Sequence, residues 1–219
     1  MREVAFERIL LIAAGYLAGS IPTAYLVGRW VKGVDGRQRG RGTVSGSTVY
    51  EHVARWAVVP VGLFDIAKAA LPSWLGLHLN LGTATAAAAG LAAIAGHSRP
   101  VFLCFTGGRG LGCFLGVLLV IFPWGCLWTL GFLAVGWRLG DSAPFALLAL
   151  LSRPLFARWM SVPEGVTGLS AAMLLLTLVK RVEANGRPLP PPGPERVSVI
   201  IRHLLWDRDI ASHRDWIRQ

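Results

Sequence analysis

The residues best suited to chemistry stand between Gly96 and Gly110, where the chain reads GHSRPVFLCFTGGRG. A Gly-Gly-Arg-Gly turn running into an apolar helix suits an oxyanion. Glycines let backbone N–H groups converge on a phosphate. The N-terminus of the following helix adds its dipole. Arg109 can grip two phosphate oxygens at once through its planar fork. The alternative is a basic loop with a flexible turn.

Two further stretches carry related chemistry. Gly19–Arg29, GSIPTAYLVGR, places Gly19, Ser20 and Pro22 where a helix must break. A Ser20 hydroxyl freed there can bond an oxyanion or a sugar-like hydroxyl. The alternative is a Ser/Pro kink satisfied by neighbouring helices. Val34–Thr48, VDGRQRGRGTVSGST, alternates glycine with arginine before a run of small hydroxyl residues. Positive-inside charge accounts for the arginines but not for the density of Ser, Thr and Gly. A flexible anion-binding loop at the lipid surface accounts for both.

The elements that must position these loops follow from composition. The 219 residues include 22 basic and 12 acidic side chains, a formal net charge of +10. Yet 53% are apolar and only 16% charged, against about 25% charged in a soluble domain. Such hydrophobicity argues against disorder and against a soluble nucleic-acid binder, so no nucleic-acid partner is expected. Basic charge on an apolar chain indicates a membrane protein with basic cytoplasmic loops. Cys104, Cys113 and Cys126 are odd in number and lie in or beside apolar stretches, which argues against a disulfide framework. His97 stands near Cys104, but no CxxC or HxxxH pairing supports coordination. Neither a metal nor a cofactor is expected.

Ile9–Gly28 is uncharged and long enough for one span. The preceding MREVAFER mixes two bases with two acids, a poor n-region for a signal peptide. The loop Arg29–Arg55 holds Arg29, Lys32, Arg37, Arg39, Arg41 and Arg55 against Asp35 and Glu51, and is read as cytoplasmic. A second span, Trp56–Leu77, contains Asp65 and Lys68, three apart and so on one helical face. They form either a structural ion pair facing the bundle interior or a functional pair. After an outside turn, His78–Gly82, the small residues of Thr83–Ala95 suit close packing in lipid. The loop Gly96–Gly112 is then inside. Gly110–Trp137 is too long for one span and carries Pro123, so a helical hairpin is expected there. Helices over Ser142–Trp159 and Gly165–Val179 complete the set. The expected fold is all-α, a polytopic membrane helix bundle of about seven short transmembrane helices, or five with two re-entrant segments. Its N-terminus is out and its C-terminus in. Residues 1–182 form the transmembrane domain. Residues 183–219 form a Pro-rich linker and cytoplasmic tail, in which VSVIIRHLLW reads as a surface amphipathic helix.

The order of these motifs resembles the acyl-phosphate-dependent glycerol-3-phosphate acyltransferases of bacteria, the PlsY type. That family's G-S-I-P-x-x-Y-L-x-G is matched without a gap by Gly19–Gly28, and Arg37 falls at its arginine. Its G-H-x-x-P-x-F-L-x-F-K-G-G-K-G is matched at Gly96, His97, Pro100, Phe102, Leu103, Phe105, Gly107, Gly108 and Gly110. Thr106 and Arg109 replace the two lysines, and Asp65 and Lys68 sit where the family has an aspartate and a lysine. There are departures. The family loop S-G-N-x-G-A-T-N has Thr43 and Thr48 at its asparagines. The third motif, a basic residue then H-x-x-N-I-x-R, reads KRVEANGR, with Arg181 at the histidine and Ala184 at the asparagine. Lys180, Glu183 and Arg187 remain compatible with it, and an Arg202-His203 pair stands further along the tail.

The resemblance implies acyl transfer from acyl phosphate to the 1-hydroxyl of glycerol 3-phosphate, giving lysophosphatidic acid for phospholipid biosynthesis. It implies a multi-pass protein of the bacterial plasma membrane, in contact with membrane lipid, with its active face cytoplasmic. Arg37 and Arg109 would neutralise phosphates and Ser20 would donate a hydrogen bond. Gly107, Gly108 and Gly110 would form the anion cradle, with Thr43 and Thr48 as further phosphate ligands. His97 would organise the loop rather than act as base. Arg181, Glu183 and Arg187 are the third-motif positions. Two alternatives stay open: a non-catalytic paralogue binding an anionic lipid or phosphate ligand, and a small transporter. A Ser-His-Asp hydrolase is disfavoured because no G-x-S-x-G elbow exists.

Overall fold

The computed structural model describes residues 2–38, 43–183 and 189–208. Among these residues every regular element is helical. In chain order the helices are α1 (Arg2–Ser20), α2 (Thr23–Lys32), α3 (Gly46–His52), α4 (Val58–His78), α5 (Thr83–Ser98), α6 (Leu111–Ile121), α7 (Pro123–Arg138), α8 (Ser142–Trp159), α9 (Glu164–Glu183) and α10 (Pro194–Trp206). Three stretches are long and apolar enough to cross a membrane: Val4–Lys32, Arg55–His78 and Glu164–Glu183. Leu111–Ile121 is apolar but short.

The stretch expected as one span from Ile9 is two helices. Pro22 lacks an N–H, and Ile21 before it is pushed away from helical geometry, so α1 stops at Ser20 and α2 restarts at Thr23. The hairpin expected at Pro123 is present. Phe122 is extended (φ −146°), and Pro123 opens α7 at its first turn, where a missing N–H costs nothing. Gly33 closes α2 in the left-handed region (φ 67°) and turns the chain into the arginine-rich loop.

Helix α5 is the hub, packed against α1, α4, α6 and α9. Its Ala-rich sequence lets α1 approach until backbones touch. A Cβ at Gly19 would overlap the Ala93 carbonyl, and one at Gly96 would overlap the Tyr16 carbonyl. The core beyond this contact is formed by Ala69, Ile94, Phe114, Val117, Leu118, Leu150 and Met173, all essentially inaccessible. A cation shares that interior. Arg153 of α8 is wholly buried, with Nε 3.3 Å from Ser170 Oγ and Nη2 3.3 Å from Met173 Sδ.

The close crossing yields an expected result. Gly19→Val wedges α1 from α5 and costs about 1–3 kcal/mol or more, as overpacking does. Gly62→Ala, with nothing within 4 Å of the new methyl, leaves stability unchanged or slightly raised. Thermal unfolding midpoints in detergent compare the two.

Candidate active site

The break between α1 and α2 is held by a buried polar cluster. Lys68 of α4 donates at 2.9 Å to the Ile21 carbonyl in the break, an oxygen that also accepts from the Thr23 N–H at 3.0 Å. Its Nζ also lies 2.8 Å from Oδ1 of Asp65, so the i,i+3 pair expected from spacing is formed inside the bundle. Thr23 Oγ1 donates to the same carboxylate oxygen at 3.2 Å. His97 of α5 brings Nδ1 to 3.5 Å from it. Asp65, His97 and Cys113 have ligand-type atoms within 4.8 Å of one another and are all buried. The Lys68 ammonium already neutralises Asp65, so the group is an internal ion-pair network joining the α1–α2 break with α2, α4, α5 and α6.

His97 fixes the glycine loop. Its carbonyl accepts from the Gly108 N–H at 3.1 Å. A side chain at Gly107 would strike that carbonyl, and one at Gly108 would strike the imidazole and come within 2.6 Å of the Val44 carbonyl. Only glycine fits both positions. Gly108 thus brings the 96–110 loop against the 43–48 loop. Gly110 turns into α6 in the left-handed region (φ 78°).

The two threonines at the family's asparagine positions meet. Thr48 Oγ1 donates to the Thr43 carbonyl at 2.7 Å, and its hydroxyl lies 3.3 Å from Ser45 Oγ and 3.5 Å from Thr43 Oγ1. Both threonines are buried. Arg37 sits in a one-turn 3₁₀ helix, Gly36–Gln38, that precedes them in the chain. Its guanidinium stands 5.2 Å from the centre of the Tyr25 ring. It donates to Asp35 through Nη2 at 2.7 Å and Nε at 3.1 Å. That hydrogen bonding from Arg37 holds the Asp35 carboxyl below its ordinary value of 3.8 against the opposing effect of burial. Asp35 in turn raises the guanidinium.

A depressed carboxylate stabilises the fold above its unfolded value and loses that contribution as pH falls through the folded one. Asp35→Asn is therefore expected to lower the unfolding midpoint equally at pH 7 and pH 5. The gap to wild type closes only below pH 3.8. Midpoints across pH 3–8 measure it.

Arg109 faces the end of α9. Its Nη1 donates to the Lys180 carbonyl at 2.8 Å, and its Nε to Asp207 Oδ2 at 3.1 Å. Glu183 joins Arg99 in an ion pair and lies 3.5 Å from Lys180 Nζ. The degenerate third motif thus adjoins Arg109 through the Lys180 carbonyl, with Glu183 against Arg99 and Lys180. Arg181 does something else: it donates to the carbonyls of Leu204 and of Ala143, the latter at 2.7 Å. Arg187 lies outside the described residues. Ser20 is fully buried beneath Gly96, and its proton is committed to the Tyr16 carbonyl at 2.8 Å. Beside the end of α9 an open groove is lined by Leu178, Val179, Val182 and Leu189, with Glu183 and Arg196 also on its wall.

Sequence reasoning missed three residues. Asp207 is absent from the motifs. Cys113 and Asp141 carry no local signal. Asp141 caps α8, accepting from the Ala143 N–H at 3.1 Å, and pairs with Arg208 at 2.7 Å.

A glycine-lined, arginine-bearing turn thus stands at the mouth of a bundle whose apolar helices are those of a membrane protein. Residues 9–189 match the family model of glycerol-3-phosphate acyltransferase, and the chain belongs to that family. Glycerol-3-phosphate acyltransferase 4 of Dehalococcoides mccartyi (strain CBDB1) is 34% identical over 96% of this chain and 93% of its own. The glycerol-3-phosphate acyltransferase of Synechococcus sp. (strain CC9902) is 35% identical over 77% of this chain and 76% of its own. The crystal structure of PlsY, an integral membrane glycerol 3-phosphate acyltransferase, in its glycerol 3-phosphate form superposes with a TM-score of 0.75. It is 26% identical and covers 81% of this chain and 89% of its own. The lysophosphatidic acid form of PlsY shares the fold, with a TM-score of 0.74 over 97% of this chain.

Proposed function

We propose that this chain transfers a fatty acyl group from acyl phosphate to the 1-hydroxyl of glycerol 3-phosphate, giving lysophosphatidic acid. The observation that carries this reading is the Arg109 loop. Its backbone is pressed against His97 and its guanidinium is aimed by two fixed acceptors, within a chain of this family. Acyl phosphate is a mixed anhydride and already activated, so no acyl-enzyme is needed. The glycerol oxygen attacks the acyl carbon, the C–O bond to phosphate breaks, and the departing phosphate takes the hydroxyl proton. The protein's work is positioning and charge neutralisation.

Arg109 and the backbone of Gly107, Gly108 and Gly110 hold one phosphate. Arg37 holds the other beside the hydroxyls of Thr43 and Thr48. His97 positions the glycine loop. Ser20 ends α1 against α5. Lys180 and Glu183 are what remains of the third motif at the end of α9, and the groove along Leu178, Val179 and Val182 takes the acyl chain. The bundle of residues 1–182 crosses the bacterial plasma membrane seven times, N-terminus out. The Arg37 and Arg109 loops and the tail 183–219 lie on the cytoplasmic side, in keeping with their basic charge.

Acyl transfer by the reconstituted full chain tests this. Long-chain acyl phosphate and glycerol 3-phosphate are supplied, and inorganic phosphate release and lysophosphatidic acid are followed together. Equimolar formation of both is the expected result. Folded, inserted protein that forms neither product refutes it and leaves a ligand-binding relative.

A further inference from the structure

The segment beyond the matched residues 9–189 folds back onto the site. Helix α10 packs on α8 and α9. Its end is fixed at three points. Arg181 donates to the Leu204 carbonyl. Arg208 pairs with Asp141 at the N-terminus of α8, at 2.7 Å. Asp207, closing α10 in the left-handed region (φ 55°) with its N–H on the His203 carbonyl, brings its carboxylate to Arg109. Both carboxylate oxygens stand at Arg109 Nε, at 3.0 and 3.1 Å. The side chains of Asp207 and Arg109 are only 8% and 17% exposed.

We infer that Asp207 is the positioning residue for Arg109, and that α10 with Asp207 and Arg181 takes over the place of the degenerate third motif. This rests on the acyl-transfer reading above. The geometry separates positioning from blockage. Asp207 takes the Nε donor and the Lys180 carbonyl takes one Nη1 donor, which accounts for two of the five guanidinium N–H groups and leaves the others for a phosphate. A guanidinium held on its Nε side is oriented for a phosphate at the other end. The carboxylate also offsets the cations gathered at the end of α9, namely Arg99, Arg109 and Lys180, which Glu183 alone would not neutralise. Arg181, standing at the family's histidine, no longer needs to meet substrate. It staples the helix that carries Asp207.

The test uses the reconstituted full chain. Asp207→Asn is expected to raise the KM for the phosphate substrate bound by Arg109 roughly ten- to a hundredfold, the scale of a misoriented group. The unfolding midpoint and kcat change little. Asp207→Glu recovers part of the loss. In an Arg109→Ala background Asp207→Asn adds nothing. An unchanged KM, a loss of equal size in the Arg109→Ala background, or faster turnover in Asp207→Asn (the behaviour of a plug) overturns the inference. Should wild type not turn over, the acyl-transfer reading fails, and inorganic phosphate becomes the probe. Phosphate raises the wild-type midpoint by binding the folded state. The half-saturating concentration moves up about tenfold in Asp207→Asn, consistent with a misaimed guanidinium. An identical phosphate response in both overturns it.

Discussion

Arg109→Ala lowers acyl transfer by about two to three orders of magnitude, the usual loss when one preorganised donor to a developing anion is removed. The reason lies in how the guanidinium is held. Nε is bound by Asp207 and Nη1 by the Lys180 carbonyl, so the free end is fixed before substrate arrives. Alanine removes the charge and leaves the Asp207 carboxylate beside the phosphate site without its cation. Arg109→Lys is expected to lose only about tenfold, because a single ammonium cannot serve Asp207, the Lys180 carbonyl and a phosphate with the same geometry. Steady-state kinetics with both substrates varied measure both variants. Equal activity of Arg109→Ala and wild type would remove Arg109 from the phosphate site.

The second large effect falls on stability. Asp65→Ala leaves Lys68 buried at 5% exposure with only the Ile21 carbonyl for company, and deprives Thr23 of its acceptor and His97 of its neighbour. Removing one member of a buried pair costs about 3–5 kcal/mol. Expression and the detergent unfolding midpoint should both collapse. Replacing the pair together, Asp65→Leu with Lys68→Met, is expected to return at least half of the lost stability, since no charge is then stranded. A double variant as unstable as the single one would show that the cost comes from shape and not from charge. His97 is expected to shift in both, and the Gly108 N–H that leans on its carbonyl with it. Activity should therefore fall even where the fold recovers.

What the sequence made legible was whatever has a local cause. Pro22 and Pro123 announce chain breaks because a missing N–H acts within a few residues. Asp65 and Lys68 declare a pair because three residues is one helical face. The crowded Gly107 and Gly108 are visible as glycines, although the His97 carbonyl and the Val44 carbonyl that require them are not. The rest depends on distant partners. Asp207 is 98 positions from Arg109, and Arg208 is 67 from Asp141. No period links such residues. The proline-rich stretch before α10 reads as a linker leading away, whereas the helix returns to the bundle because Arg181, Asp141 and Arg109 hold it there. Cys113 met His97 for the same reason: α5 and α6 are adjacent only after folding.

The reversal at Phe122–Pro123 has a consequence for the surrounding lipid. Helix α6 has 11 residues and α7 has 16, which at 1.5 Å per residue rise about 16 and 24 Å. A typical hydrocarbon layer is about 30 Å thick. Phe122 is 3% exposed and packs against Phe156, so protein covers the inner side of the turn. Helix α7 exposes Trp124, Leu127, Leu130 and Trp137. Trp prefers the headgroup level, and these two rings are separated by 13 positions of the helix, about 20 Å. With α7 as one of the crossings proposed above, the bilayer pinches to meet them, at a cost of a fraction of a kcal/mol for each ångström of mismatch. Short-chain lipids avoid that mismatch and, on the same crossing arrangement, are expected to gather along α7 as a thin annulus wherever the surrounding membrane is thick.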